Sequence, residues 1–316
     1  MDVVVLSLAE GSGDSCGSES GCGGCNAVCA TPRTPVLACA DVLREAGAQV
    51  ETVQAGSDQE IDAVLARFDG PARADGLTWP AFADDLRLVI ASASDAQLRA
   101  VVRRMVRRWA PAPSKRPGDL AADRTVPDLP PLAILPLDPD NKDDLAAQLG
   151  LPRTPVDVAK AVLAGSTRRL DLLRNDGGSV TLDGALLGGS DEQGAAVPWR
   201  GRVEVDDHVL SEGEEPILAC VVGNGGGYAE FDGIRLLADG NPEDGRVEVA
   251  VAVPVVVKQR FKKGVRVRVE VRRARGRAVS VLPREGELQF LDDGVAGSTS
   301  RKKSWWTEAG AWAVYA

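Results

Sequence analysis

The sequence predicts an α/β domain built on a parallel sheet, followed by a domain of antiparallel β-sheet. Three observations carry that expectation. From Val3 to Leu163, short apolar runs alternate with stretches of helical periodicity, the pattern of a parallel sheet covered on both faces. Beyond Arg169 the helical period disappears and short strands follow one another between Gly and Asp turns. No self-similar segment of about 20 to 50 residues recurs, so a repeat architecture is excluded.

The elements follow in order. Val3–Leu8 is an unbroken apolar run of the kind buried on both sides of a sheet. Thr34–Ala46 reads as a helix, Gln49–Gln54 as a strand, Asp58–Arg67 as a helix and Leu86–Ala91 as a strand. In Ala96–Trp109 a helix places Leu98, Val102 and Val106 opposite Arg99, Arg103 and Arg107. The proline-rich stretch Ala110–Pro131 reads as a surface loop leading to a strand at Leu132–Leu137, then to helices at Asn141–Leu149 and Val156–Leu163. The antiparallel domain supplies Arg202–Val205, Ile217–Val222, Val247–Val257, Val265–Val271, Ala278–Leu282, Leu288–Leu291 and Trp312–Tyr315. The expected division is residues 1–152 and 153–316, with the last strand returning toward the first domain.

A length of 316 residues with 44% apolar content supports about two cores, and a formal charge of −9 argues against nucleic acid binding over the whole surface. No run of eighteen apolar residues appears and no secretory signal opens the chain, which places the protein in the cytoplasm without a transmembrane segment. In that compartment thiols stay reduced, so the cysteines point to metal or redox chemistry.

Four of them, Cys16, Cys22, Cys25 and Cys29, lie in a Gly/Ser-rich loop directly after the first strand, where open α/β folds place their ligands. Four thiolates complete a tetrahedral zinc site or hold an iron–sulfur cluster, and Gly17, Gly21, Gly23 and Gly24 permit the tight turns that aim backbone N–H groups at sulfur. Only Cys22 and Cys25 form a paired knuckle, which favours the iron–sulfur cluster over zinc; a loop of reduced thiols or a disulfide pair is the alternative. Cys39 and Cys220 sit in apolar contexts and read as core residues. The lone histidine, His208, lies among carboxylates in a turn and leaves no Ser/His/Asp or Cys/His set.

Val222-Gly223-Asn224-Gly225, the stretch Ile234–Val249, Ile134–Leu137 with Asn141 and Leu145–Pro152, and Ala159–Asp171 together resemble, in the same order, the motifs of the diacylglycerol kinase and sphingosine kinase catalytic family, which shares its architecture with NAD kinases. The resemblance implies an α/β nucleotide-binding domain followed by a β-sandwich. It also implies ATP with Mg²⁺ as cosubstrate, Asp95 and Asn141 near the nucleotide, and Asp293 as the base that deprotonates a lipid hydroxyl.

The departures are concentrated at the phosphates. Where the family has a Gly-Gly-Asp-Gly-Thr turn, this chain has Ala93-Ser94-Asp95-Ala96-Gln97, and each added Cβ narrows the space for phosphate. The family's Gly-Thr-Gly becomes Asp138-Pro139-Asp140, which removes one N–H donor and adds two negative charges. Its first-strand phosphate loop is replaced by the cysteine loop. The function implied is a divergent lipid-kinase-fold protein without efficient ATP phosphoryl transfer, whose cysteine loop binds a metal or cluster in a redox, sensor or assembly role. An active lipid kinase and a non-catalytic scaffold are the alternatives; Asp293-Gly294 also reads as a plain hairpin turn. For partners, the basic stretch Lys258–Arg277 and the pair Trp305-Trp306 suggest a protein or an anionic lipid surface.

Overall fold

The computed structural model describes residues 1–9, 33–81, 85–225, 229–231, 233–237, 240–258 and 265–316. Cys16, Cys22, Cys25 and Cys29 lie outside the described residues. Two compact units emerge, Met1–Leu170 with Ala311–Ala316, and Asp171–Gly310.

In the first unit β1 (Asp2–Leu8), β2 (Gln49–Ala55), β3 (Leu86–Ser92) and β4 (Leu132–Pro136) form a parallel sheet in the order β2-β1-β3-β4. The strand that ends the chain lies parallel beside β4, with Val314 opposite Leu132. Because β1 has a strand on each side and helices on both faces, Val3 to Leu6 are all buried, which is why the run is continuously apolar. Among the described residues five α-helices connect the strands: α1 (Thr34–Glu45), α2 (Asp58–Leu65), α3 (Asp95–Trp109), α4 (Leu145–Gln148) and α5 (Pro155–Ala164). On one face Val36, Cys39 and Leu43 of α1 pack with Val158 and Val162 of α5 against Val3, Val5 and Val89. The starts of α2 and α5 are capped by side chains: Ser57 accepts the Glu60 N–H at 3.3 Å and Thr154 accepts that of Asp157 at 3.2 Å. Gly165, left-handed at φ 72°, ends α5.

The arginine face of α3 is not a free basic stripe. Arg103 and Arg104 pair with Asp58, Arg104 also with Asp62, and Arg108 with Asp69, while Arg99 is buried. The carboxylates come from α2 and from Asp69, which opens the short strand Asp69–Ala72, so these charges are matched inside the unit. None of the helices among the described residues is long and apolar enough to cross a membrane.

Strand β5 (Thr167–Asn175) leads into the second unit, followed by β6 (Gly184–Leu187), β7 (Gly201–Val205), β8 (His208–Glu212), β9 (Ala219–Gly223), β10 (Val247–Lys258), β11 (Val265–Gly276), β12 (Ala278–Pro283), β13 (Leu288–Asp292), β14 (Val295–Thr299) and β15 (Lys303–Tyr315). Antiparallel pairing gives one sheet in the order β11-β10-β9-β6-β13-β14, while β8-β7-β12-β15 run antiparallel in another. Leu187, Cys220, Val222, Val249 and Val251 from the first pack with Val203, Val205, Val279, Val281 and Trp305 from the second in one core. Alternate residues of each strand face that core, which explains the period-two apolar pattern. The two sequence-predicted core thiols behave accordingly: burial pushes Cys39 up to about 11 and Cys220 up to about 12.

Trp305 is fully buried opposite Val279 and carries Lys303 over its ring at 5.1 Å, whereas the half-buried Trp306 donates its indole N–H to Glu308 at 2.8 Å. The tryptophan pair therefore serves this unit's interior first. Replacing Trp305 by Ala should lower the unfolding free energy by about 3–5 kcal/mol, the usual cost of emptying an aromatic site in a packed core; chemical denaturation followed by circular dichroism measures it.

Candidate functional site

The strand order reverses between β1 and β3, and the crevice outside the carboxyl ends of these strands is the place where an open parallel sheet binds ligands. Three chain segments leave the sheet there. After β1 the chain enters the cysteine loop, of which only Ala9 is described, its N–H bonded to Ala55 O at 2.9 Å. After β3 come Ala93 and Ser94, then α3 begins at Asp95; after β4 comes Leu137, held to Ser92 O by its N–H at 2.9 Å, then the Asp138–Asp144 turn.

Asp95 and Asn141 are brought together on the wall of one small cavity of about 20 Å³, shared with Asp138 and Asp144. That volume holds roughly one water molecule. No lysine or arginine lines it among the described residues. The half-buried Asp95 carboxylate accepts the N–H of Leu145, the first residue of α4, with both oxygens at 3.1 and 3.2 Å. Desolvation raises its pKa above the usual carboxylate range, and the neighbouring Asp144 charge adds to that, against the lowering effect of the Leu145 N–H and of Arg153.

Arg153 holds the turn. Its guanidinium forms an ion pair with Asp144 and donates to the carbonyls of Pro139 at 3.0 Å, Asp138 at 3.3 Å and Asn141. The turn also closes on itself, because Asp138 Oδ1 accepts the Asp140 N–H at 3.2 Å and Asn141 Oδ1 accepts the Asp143 N–H at 3.0 Å. These local side-chain bonds explain why the helix expected over Asn141–Leu149 shrinks to Leu145–Gln148: they satisfy the backbone in a non-helical form, and Asp144 caps the shortened helix through the Ala147 N–H at 2.9 Å. The turn after β3 is equally closed. It has no residue with positive φ, Ser94 is extended, and the Ala93 N–H is taken by Gln97 Oε1 at 2.9 Å.

In the second unit Asp293 and Gly294 both have positive φ, 48° and 81°, as the two central residues of a type I′ hairpin turn between β13 and β14. Yet Asp293 is only 3% exposed. Its Oδ2 accepts the Leu182 N–H at 2.7 Å, and its Oδ1 accepts those of Asp183 and Gly184 at 3.0 and 3.1 Å. Beside it Asp292 accepts the Thr181 hydroxyl at 2.7 Å. Burial, followed by the Asp292 charge, pushes the Asp293 pKa well above the ordinary value in spite of the N–H donors.

The resemblance segments of this unit converge on a residue that sequence reasoning did not single out, the buried Asp171. Its carboxylate accepts the N–H groups of Gly245 at 2.6 Å and Gly310 at 2.8 Å, and its carbonyl accepts the Asn224 side-chain amide at 2.6 Å. Gly223 is required by packing there, since a Cβ would fall 2.2 Å from Leu237 Cδ1 and 3.3 Å from Asp183 O. The only signal for Asp171 was its place at the end of the Ala159–Asp171 segment. Among the described residues, no three His, Cys, Asp or Glu side chains are grouped to hold a metal ion.

No family model matches the chain. Nor does any curated protein match it in sequence. Solved structures do match in fold. A diacylglycerol kinase from Bacillus anthracis str. Sterne superposes with a TM-score of 0.60 at 14% identity, over 99% of this chain and 96% of that one. A putative diacylglycerol kinase from the same organism gives 0.58 at 13% identity with the same coverage. The chain thus has a diacylglycerol kinase-like fold, an α/β domain followed by an antiparallel sheet domain.

For the ATP with Mg²⁺ that the sequence resemblance implies, the described residues at the ends of β3 and β4 do not fit a triphosphate: Asp95, Asp138 and Asp144 line a cavity of about 20 Å³ and Asp95 occupies the Leu145 N–H there. The buried acids lend themselves to two stability tests. Asp293→Ala leaves three N–H groups without their acceptor and should cost several kcal/mol, at about 1–3 kcal/mol per buried orphan group, read as a lower denaturation midpoint. The second concerns pH. A carboxyl whose pKa is higher folded than unfolded adds stability that is complete below its unfolded pKa and lost as pH rises through the folded one. The unfolding free energy of wild type relative to Asp293→Asn should therefore fall as pH rises from about 4 toward neutrality; a difference that is flat or rising with pH would contradict the upward shift.

Proposed function

We propose that the chain is a divergent lipid-kinase-fold protein without efficient ATP phosphoryl transfer, in which Cys16, Cys22, Cys25 and Cys29 hold a metal, preferentially an iron–sulfur cluster, for a redox, sensor or assembly role. The observation that carries the first half is the acid-lined cavity at the carboxyl ends of β3 and β4. A triphosphate needs inward-pointing N–H groups and cations. Here the Leu145 N–H answers Asp95, and Arg153 is engaged with Asp144 and three carbonyls. The second half rests on the four thiols that follow β1, the strand bordering the sheet's switch point.

When bound, a cluster would supply one-electron chemistry. The chain's own part would be to lower its potential, since Asp138 and Asp140 add negative charge to the same end of the sheet. An active lipid kinase using Asp95, Asn141 and Asp293 draws on the fold alone, and in it the Asp293 oxygens would have to release backbone N–H groups before accepting a hydroxyl proton.

Anaerobically purified protein should carry one metal site per chain with thiolate charge-transfer absorption in the visible if the site holds iron. Cys22→Ser or Cys25→Ser should lose it and leave the far-ultraviolet circular dichroism unchanged. Metal retained in the quadruple Cys→Ser variant would sink the cysteine site. ATP-dependent phosphorylation of diacylglycerol or a sphingoid base should be undetectable; turnover abolished by Asp293→Asn would establish the kinase instead.

A further inference from the structure

The hairpin of β10 and β11 is longer than the sheet that carries it. Strand β9 pairs with Glu248 to Ala252 only, so from Val253 to Lys258 strand β10 has β11 as its strand partner, in register with Val265 to Glu270. Twelve residues long, β11 is also the outermost strand of its sheet. Near its base Arg272 reaches across to β8, donating to Leu210 O at 3.1 Å, and pairs with Glu215. Beyond that point β10 is the only strand paired with β11 among the described residues. Alternate residues of an antiparallel edge turn their N–H and C=O groups away from the neighbouring strand, so this outer half presents backbone donors and acceptors with no strand to meet them. The edges at the other sheet ends are blunted: β14 has five residues, β8 meets β7 through a bulge at Val203 and Glu204, and β2 shows Glu51, Thr52 and Gln54 to solvent.

Side chains on this edge alternate between two chemistries. On one face Val271 and Val269 pack against the cluster of Val221, Leu236, Ala250 and Ala252, and Val267 lies beyond them, 60% exposed. On the other face Arg268 stands opposite Val255 and Glu270 opposite Val253. Arg268 is exposed and has no ion pair among the described residues; Glu270 pairs with Arg272 at 3.0 Å and is still half exposed. Along the edge, Val267-Arg268-Val269-Glu270-Val271 is symmetric in its valines and opposite in charge about Val269. A second copy of the same edge, laid antiparallel and centred on Val269, sets Arg268 against Glu270 of the second copy and Glu270 against its Arg268. The same register sets Val267 against Val271 and Val269 against its own counterpart, each pair on one face. A slip of one residue would set valines against charges, and centring on Arg268 or on Glu270 would set like charge against like. The register also brings Arg266 opposite Arg272, whose charge Glu215 already answers.

We propose that the outer half of β11 is an association edge on which a second copy of this chain pairs antiparallel about Val269, giving a two-fold dimer with one sheet continuous through both copies. A two-fold contact requires a surface complementary to itself. The order of charges on this edge supplies that complementarity, and the unpaired backbone supplies the hydrogen bonds. A polyanion or an anionic membrane would answer Arg268 and be repelled by Glu270, whereas the second copy answers both. The proposal is independent of the cysteine loop and of any nucleotide.

Sedimentation velocity of the full chain should show a monomer–dimer equilibrium that moves toward dimer with protein concentration and toward monomer as salt rises. Arg268→Glu sets like charges against each other twice across the axis, and so does Glu270→Arg; each alone should weaken the dimer about tenfold or more. Mixed in equal amounts, the two single variants should form a heterodimer about as tight as the wild-type dimer, because each altered charge then meets its opposite on the other chain. Melting temperatures of both variants, expected within a few degrees of wild type because the two side chains are exposed, separate lost association from lost fold. A wild-type chain that stays monomeric up to about 100 μM, whether or not anionic vesicles or nucleic acid retain it, would overturn the proposal. So would a dimer that neither single variant weakens, or the absence of a heterodimer when the two are mixed.

Discussion

Four aspartates, Asp95, Asp144, Asp171 and Asp293, are answered by backbone N–H groups, and the local structure around them depends on it. Asp95 takes the N–H of Leu145, Asp144 that of Ala147, Asp171 those of Gly245 and Gly310, and Asp293 those of Leu182, Asp183 and Gly184. Clustered N–H groups are the same donors that bind phosphate in open α/β folds. An aspartate supplied by the chain fulfils the anion's part with no ligand, and it costs a ligand both the donor and a like charge. The first unit therefore keeps the sheet order and switch point of an open α/β fold, while the two described turns, those after β3 and β4, are closed by their own side chains.

The second unit shows the same principle at larger cost. Burying Asp292 and Asp293 side by side is unfavourable for the ionised forms, and the Asp293 N–H bonds offset only part of that. The arrangement secures geometry: one carboxylate fixes the 182–184 backbone against the β13–β14 turn. Asp171 does likewise for the segments around Asn224 and Gly245. The motifs by which the chain resembles lipid kinases in this unit are thus the ones that fold it. This accounts for a TM-score of 0.60 at 14% identity without requiring that the chemistry be retained.

Much of this was legible in the sequence. The strands of the parallel sheet and the helices α1, α2, α3 and α5 lie within a residue or two of their expected bounds, because the hydrophobic period is clear there. Strands β6, β8 and β14 were not read, being four or five residues long with little alternation to mark them. The ion pairs of Arg103 with Asp58 and of Arg104 with Asp62 were not legible, because the aspartates sit on another helix and could not be paired from sequence. The Asp-Gly turn at Asp293 was legible, but its burial was not, since the donors lie about 110 residues earlier in the chain. The basic hairpin was visible as charge, whereas the exposed register pair Val256 and Val267 needed the strand pairing.

The most direct measurement is calorimetric titration of the purified chain with ATP and Mg²⁺. If the internal carboxylates occupy the phosphate donors, no saturable heat appears up to millimolar nucleotide, and Asp95→Asn, which removes a charge and keeps a hydrogen-bond acceptor for Leu145, does not create tight binding by itself. Saturable binding of ATP by the wild-type chain at micromolar concentration, weakened by substitution of Asp95 or Asn141, would contradict it.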